Sequence, residues 1–204
     1  MTKSNVISGM GVALSLVQTL VASVKKAGGT DDDIHRLTTP EADGVWKKIA
    51  AIIVEASKKI AQVFTVMVDY DRTVENSIAA GNYCYVNEDI TDRNFQPAEH
   101  EKSKKKQSFT LYHFDRDVES DFAIVQMAKD GKRPATLREL LAFGEANPEL
   151  QREFPIIALG SVWVDRHGHR IVASLRRCHS ERCLHLAQHD FGWYSFCRFL
   201  AVSK

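Results

Sequence analysis

The chain predicts an α+β fold with an N-terminal helical segment. Three observations point there. Residues 1–61 carry two stripes of helical spacing, the middle of the chain alternates strand and helix patterns, and short strands run from Phe154 to Val202. At 204 residues, 44% hydrophobic and 26% charged, the chain has the balance of a globular protein. The expected division is a helical pair over 1–61 and one domain over 62–204. Lys+Arg 27 against Asp+Glu 26 leaves a net charge of +1. A chain-wide attraction to nucleic acid or anionic membrane is therefore not expected. No apolar run reaches the roughly 18 residues of a membrane span, so no membrane insertion is expected. Gly9–Val24 is interrupted by Ser15, Gln18, Thr19 and Ser23 and is not read as a cleaved signal. Localisation stays open between cytoplasm, cell surface and virion.

Each element follows from its pattern. Val6, Met10, Ala13, Val17, Leu20 and Val24, widened by Ile7, Leu14 and Val21, form one apolar helix face. Gly28-Gly29 ends it, and Thr30–Asp33 reads as a loop. A second helix starts near Thr39-Pro40, with Trp46, Ile49, Ile53, Ala56 and Ile60 on its apolar face. The two stripes suit packing on each other or on the main domain better than a short coiled coil, so a monomer is favoured. Val63–Val68 is β-branched and apolar, a strand. Glu75–Ala80 reads as a short helix and Tyr83–Val86 as a strand. Asp89–Gln107, with Lys102, Lys104, Lys105 and Lys106, reads as a solvated loop before a strand at Phe109–Phe114. Helices follow at Ser120–Lys129 and at Thr136–Ala146, the second opened by the capping box Thr136-x-x-Glu139 and stopped at Asn147-Pro148. Phe154–Val164, Ile171–Leu175, Leu184–Gln188 and Cys197–Val202 close the chain as strands. Trp46 and Trp163 are expected in the core. Asp69, Asp71, Asp115 and Asp117 are expected as turn residues rather than cation ligands.

The segment 167–200 differs from the rest. It has no Lys and no Met, and only one Glu (Glu181), one Gln (Gln188) and one Trp (Trp193). These five amino acids are the ones that no codon ending in a pyrimidine encodes. His, Arg, Cys, Ser, Phe and Tyr are enriched instead, the bias expected where the first two bases of many codons vary. Leu184, Leu186, Phe199 and Val202 read as inward strand residues, with His185 and Ala187 alternating outward. Arg176, Arg177, His179, His189, Phe191, Tyr194, Ser195 and Phe196 read as loop residues around them, and rigid aromatics beside small polar groups make an antibody-like surface.

Arg133–Leu141 (RPATLRELL), Phe154–Trp163 (FPIIALGSVW) and Gly192–Val202 (GWYSFCRFLAV) resemble the variable proteins of diversity-generating retroelements. Those of archaeal viruses, nano-sized archaea and candidate-phylum bacteria are the most similar, and the resemblance spans about residues 63–204. It implies a C-type lectin fold whose 3′ coding end is rewritten by reverse transcription that is error-prone at template adenines. The implied scaffold residues are Val172, Leu175, Arg182, Leu184, Leu186, Trp193, Arg198 and Phe199. The implied diversified, ligand-binding residues are Ser174, Arg176, Arg177, Cys178, His179, Ser180, His185, Ala187, His189, Phe191, Tyr194, Ser195, Phe196 and Cys197. Asn, which adenine-rich template codons would specify, does not occur in 167–200. The expected activity is non-enzymatic binding of a protein or other macromolecule, without cofactor or metal. Aromatic anchors would supply most of the energy, and binding would weaken below about pH 6 if His contacts matter.

Two rival readings use the same residues. Cys178, His179, Cys183, His185 and His189 offer soft and imidazole ligands for zinc, although C-x4-C-x-H-x3-H is not a usual zinc spacing. Cys178 and Cys183 also resemble the paired cysteines of formylglycine-generating oxidases, which bind copper, but the Gly-rich lead-in of that family is missing before Cys178. No phosphate-binding Gly loop, nucleophile elbow or His-Glu-x-x-His is present.

Overall fold

The N-terminal apolar stripe becomes helix α1 (Ser4–Lys26), which ends in two lysines and turns at Gly28, where φ is +89°. The computed structural model describes residues 4–59 and 63–203. Thr30–Asp33, expected as a loop, instead opens α2 (Asp31–Arg36). The Thr30 hydroxyl accepts from the Asp33 N–H, and the Asp33 carboxylate accepts from the Thr30 N–H at 2.9 Å. This reciprocal cap satisfies two donors that a helix start leaves orphaned. A 3-10 turn at Pro40–Ala42 leads into α3 (Asp43–Lys59). Trp46 is exposed rather than in a core, its indole N–H donating to the Leu37 carbonyl at 2.7 Å. The stripe side chains of Val6, Ile7, Met10 and Ala13, and those of Ile53, Ala56 and Ile60, lie outside the described residues. Among the described residues, no helix is long and apolar enough to cross a membrane.

The chain divides into two compact units, Met1–Ile60 and Ala61–Lys204. The second contains β1 (Val63–Asp69), α4 (Val74–Gly81), β2 (Tyr85–Val86), β3 (Lys104–His113), α5 (Ser120–Lys129), β4 (Lys132–Pro134), α6 (Leu137–Ala146), α7 (Leu150–Glu153), β5 (Ile156–Val164), β6 (Arg170–Cys178), β7 (Glu181–Gln188) and β8 (Arg198–Ser203). It is a mixed α+β unit, predominantly sheet.

Its 8-stranded sheet runs β1-β3-β8-β5-β6-β7-β2, with β4 also paired to β8. The β5–β8 and β2–β7 pairs are parallel and the others antiparallel. Because strand side chains alternate, each strand feeds two cores. Ile156, Ala158, Ala173, Leu175, Leu184, Leu200 and Val202 pack on one face with α6 residues such as Leu140 and Phe143. Ile157, Leu159, Val172, Phe199 and Ala201 pack on the other with Ala123 and Met127 of α5 and with Trp193. Trp163 is half-buried against the first core.

Two polar stretches extend strands that the sequence pattern had shorter. Lys104–Lys106 begin β3 opposite Asp69, Val68 and Met67, and Lys104 pairs with Asp69 at 3.0 Å. Arg176–Cys178 continue β6 to a two-residue turn, with His179 at φ +56°. Within β5, Gly160 sits in a register shift, its N–H donating to the Ala135 carbonyl at 2.8 Å. Next to it, Ser161 Oγ accepts from the Leu137 N–H at the start of α6.

Candidate functional site

β6 and β7 pair in register, with Ser174 opposite His185, Arg176 opposite Cys183 and Cys178 opposite Glu181. Alternation puts Ser174, Arg176 and Cys178 on the face of Val172, together with Cys183, His185 and Ala187 of β7. Arg177 and Arg182 belong to the opposite face. There Arg182 is buried, donating to the Gly81 and Gly144 carbonyls and to Gln151, while its guanidinium lies 4.8 Å from the Tyr83 ring centroid. Gln151 in turn donates to the carbonyls of Arg176 and Cys183, so α7 fixes the hairpin backbone.

The loop between β7 and β8 folds back over the Val172 face. It is anchored at alternate points. Trp193 is buried and bridges Val118, its indole donating to Ser120 Oγ at 2.8 Å. Ser120 Oγ donates to the His189 carbonyl, and the Ser195 N–H donates to Asp117 at 2.8 Å. Between these anchors Phe191, Tyr194 and Phe196 point out, 67%, 65% and 57% exposed. The Tyr194 and Phe196 rings stack at 5.5 Å between centroids.

These features enclose a groove of about 300 Å³, lined by Ser174, Arg176 and Ala187 from the hairpin and by Phe191, Trp193, Tyr194, Phe196 and Cys197 from the loop. Pro155, Ile157, Gln188 and Gly192 complete it. Sequence reasoning missed Pro155, Ile157 and Gln188, which carry no local signal and enter through sheet pairing alone. A larger cleft of about 490 Å³ along Asn87–Asp89 and Asp165–His167 is more polar, lined by carboxylates, Arg166 and His167.

The residues expected to face outward divide. Arg176, Arg177, His179, Ser180, Phe191, Tyr194 and Phe196 are exposed, and Cys178, His185, Ala187 and Ser195 are half-buried. Ser174, His189 and Cys197 are buried, which corrects the expectation for all three. Ser174 and Cys197 lie at the floor of the groove. The His189 N–H donates to the Arg170 carbonyl, and its ring lies 3.3 Å from Asp190. Burial pushes the Cys197 thiol pKa up. Of the implied scaffold residues, Val172, Leu175, Arg182, Leu184, Trp193 and Phe199 are buried, while Leu186 and Arg198 are half-buried.

The five candidate metal ligands also divide. Cys178, Cys183 and His185 bring their donor atoms within 4.8 Å of one another. His179 and His189 are not part of this group. Cys178 Sγ lies 3.3 Å from His185 Nε2, and the Tyr85 ring stacks on His185 at 4.6 Å. Burial, the Cys178 thiol and the Cys84 thiol push the Cys183 pKa up to about 12. Burial first, then the Arg176 charge, lowers the pKa of His185. No family model, no curated protein and no solved structure matches the chain.

Proposed function

We propose that the chain is a non-enzymatic ligand-binding protein built on a C-type lectin fold, whose groove surface is diversified by a retroelement. The observation that carries this reading is the groove itself. Ser174, Arg176, Ala187, Phe191, Tyr194, Phe196 and Cys197 were singled out from the resemblance, and all line one concavity. The buried residues Val172, Leu175, Leu184 and Phe199 hold the strands beneath it. That separation lets side chains change while the backbone stays. The C-type lectin assignment draws on the Gly160-Ser-Val-Trp strand β5 and the Arg198-Phe-Leu-Ala-Val strand β8, parallel neighbours at the sheet centre. A protein or other macromolecule suits the surface better than a small molecule, since three large aromatic side chains stand uncovered at its rim.

The test is genomic. The neighbourhood of the gene should hold a reverse transcriptase and a near-copy of the codons for 167–200, differing at template adenines. Sequencing many copies of the 3′ end should find variation at groove codons and constancy at Val172, Leu175, Leu184 and Phe199. Variation spread evenly over both sets overturns the reading.

A further inference from the structure

The cluster on the hairpin beside the groove has the chemistry of a soft metal site. Cys178 and Cys183 sit diagonally across the β6–β7 ladder on one face, and His185 follows Cys183 on that face. Their donor atoms lie within 4.8 Å of one another. A tetrahedral zinc ion with Zn–S bonds of about 2.3 Å sets its sulfurs about 3.8 Å apart, so small side-chain rotations close the gap. The residue before β2 offers a fourth donor. Tyr85 pairs with Cys183 and the Cys84 N–H donates to the Arg182 carbonyl at 2.9 Å, so the Cys84 thiol, which is exposed and outside the group of three, has to turn inward to reach the ion. Three thiols and one imidazole form one of the standard structural zinc sets.

We propose that Cys84, Cys178, Cys183 and His185 bind one zinc ion, which ties β2 to the β6–β7 hairpin. Binding releases three thiol protons to solvent, and the imidazole binds through Nε2. An Arg176 amino group lies 3.1 Å from His185 Nδ1. A guanidinium only donates, so Nδ1 accepts and the imidazole proton sits on Nε2, facing Cys178. Zinc at Nε2 moves that proton to Nδ1 and releases Arg176, which is exposed and free to turn. Two positive charges on zinc against three thiolates leave one net negative charge, which the freed guanidinium offsets. His179 and His189 take no part. The inference does not rest on the diversified-surface reading, but Cys178 and His185 are among the positions that reading has variable, so under it the ion belongs to this sequence and not to the shared scaffold.

The test uses the full chain, reduced and stripped of any affinity tag. Elemental analysis should find one zinc per chain. Cobalt(II) added to the metal-free protein should give the absorption bands of a tetrahedral thiolate site. Cys178→Ala and Cys183→Ala should abolish those bands. His185→Ala and Cys84→Ala should each weaken cobalt binding by more than about tenfold, since even outer partners of a metal site cost that much. His179→Ala should change nothing. If Cys183→Ala fails to fold, Cys178 and the exposed Cys84 carry the test. Absence of tetrahedral bands, uptake of copper(I) but not zinc, or bands that survive Cys178→Ala each overturn the proposal.

Discussion

Glu139 has no exposed side-chain surface, yet the donors around it favour its carboxylate form. Burial acts to raise its pKa. Both oxygens bond Arg133, at 2.6 and 2.8 Å, and they also accept from Tyr70 and the Thr136 N–H. The net result is a pKa below the ordinary Glu value. The stability this gives is therefore present above the unfolded value of about 4.3 and is lost as pH falls through the folded one. Urea unfolding of Glu139→Gln should show a loss of about 3–5 kcal/mol at neutral pH, and a flatter acid limb than the native chain. The capping box with Thr136 was legible as Thr-x-x-Glu. The Arg133 and Tyr70 bonds were not, because they depend on β1 and β4 arriving from elsewhere. Aromatic residues divide just as sharply. Phe199→Ala, in the second core, should cost about 3–5 kcal/mol of stability. Tyr194→Ala or Phe196→Ala should change stability by no more than about 0.5 kcal/mol. Against a partner selected for the groove, either should cost about 1–3 kcal/mol of affinity.

Among the elements, strand ends were where the sequence misled. Lys104–Lys106 and Arg176–Cys178 read as loops because charged residues are poor strand formers on average. In the structure they are exposed or half-buried, and their backbones complete ladders with β1 and β7. Half-exposed pleats tolerate such residues, so propensity understated both strands. The longer helices were legible because their signals are local, whereas the short α2 and α7 were not. Ser120–Lys129 matches α5 at both ends, and Thr136 caps α6. Gly160 explains part of the Gly-Ser-Val-Trp stretch. A Cβ there would lie 2.6 Å from the Ala135 carbonyl oxygen and 2.7 Å from that of Pro134. Both are backbone atoms next to β8 and α6, and neither can turn aside. Gly160→Ala should cost about 1–3 kcal/mol in thermal or urea unfolding.

For the whole molecule, the second unit contains both cores and the whole sheet. A chain of residues 61–204 should unfold cooperatively, within a few degrees of the full protein by calorimetry. A broad, non-cooperative melt would show that the first unit is needed. Half the groove could be read from the alternation of β6 and β7 together with the aromatic loop. The rest, including Pro155 and Ile157, arises from pairings between distant segments that no short window reveals. β8 is the last strand in the chain, yet it lies between β3 and β5 in the middle of the sheet. A chain cut short before Arg198 loses the strand that joins the two halves of the sheet. Such a product is unfolded debris rather than a weakened protein, so folding itself checks the carboxyl end: only a chain translated through β8 can close the sheet.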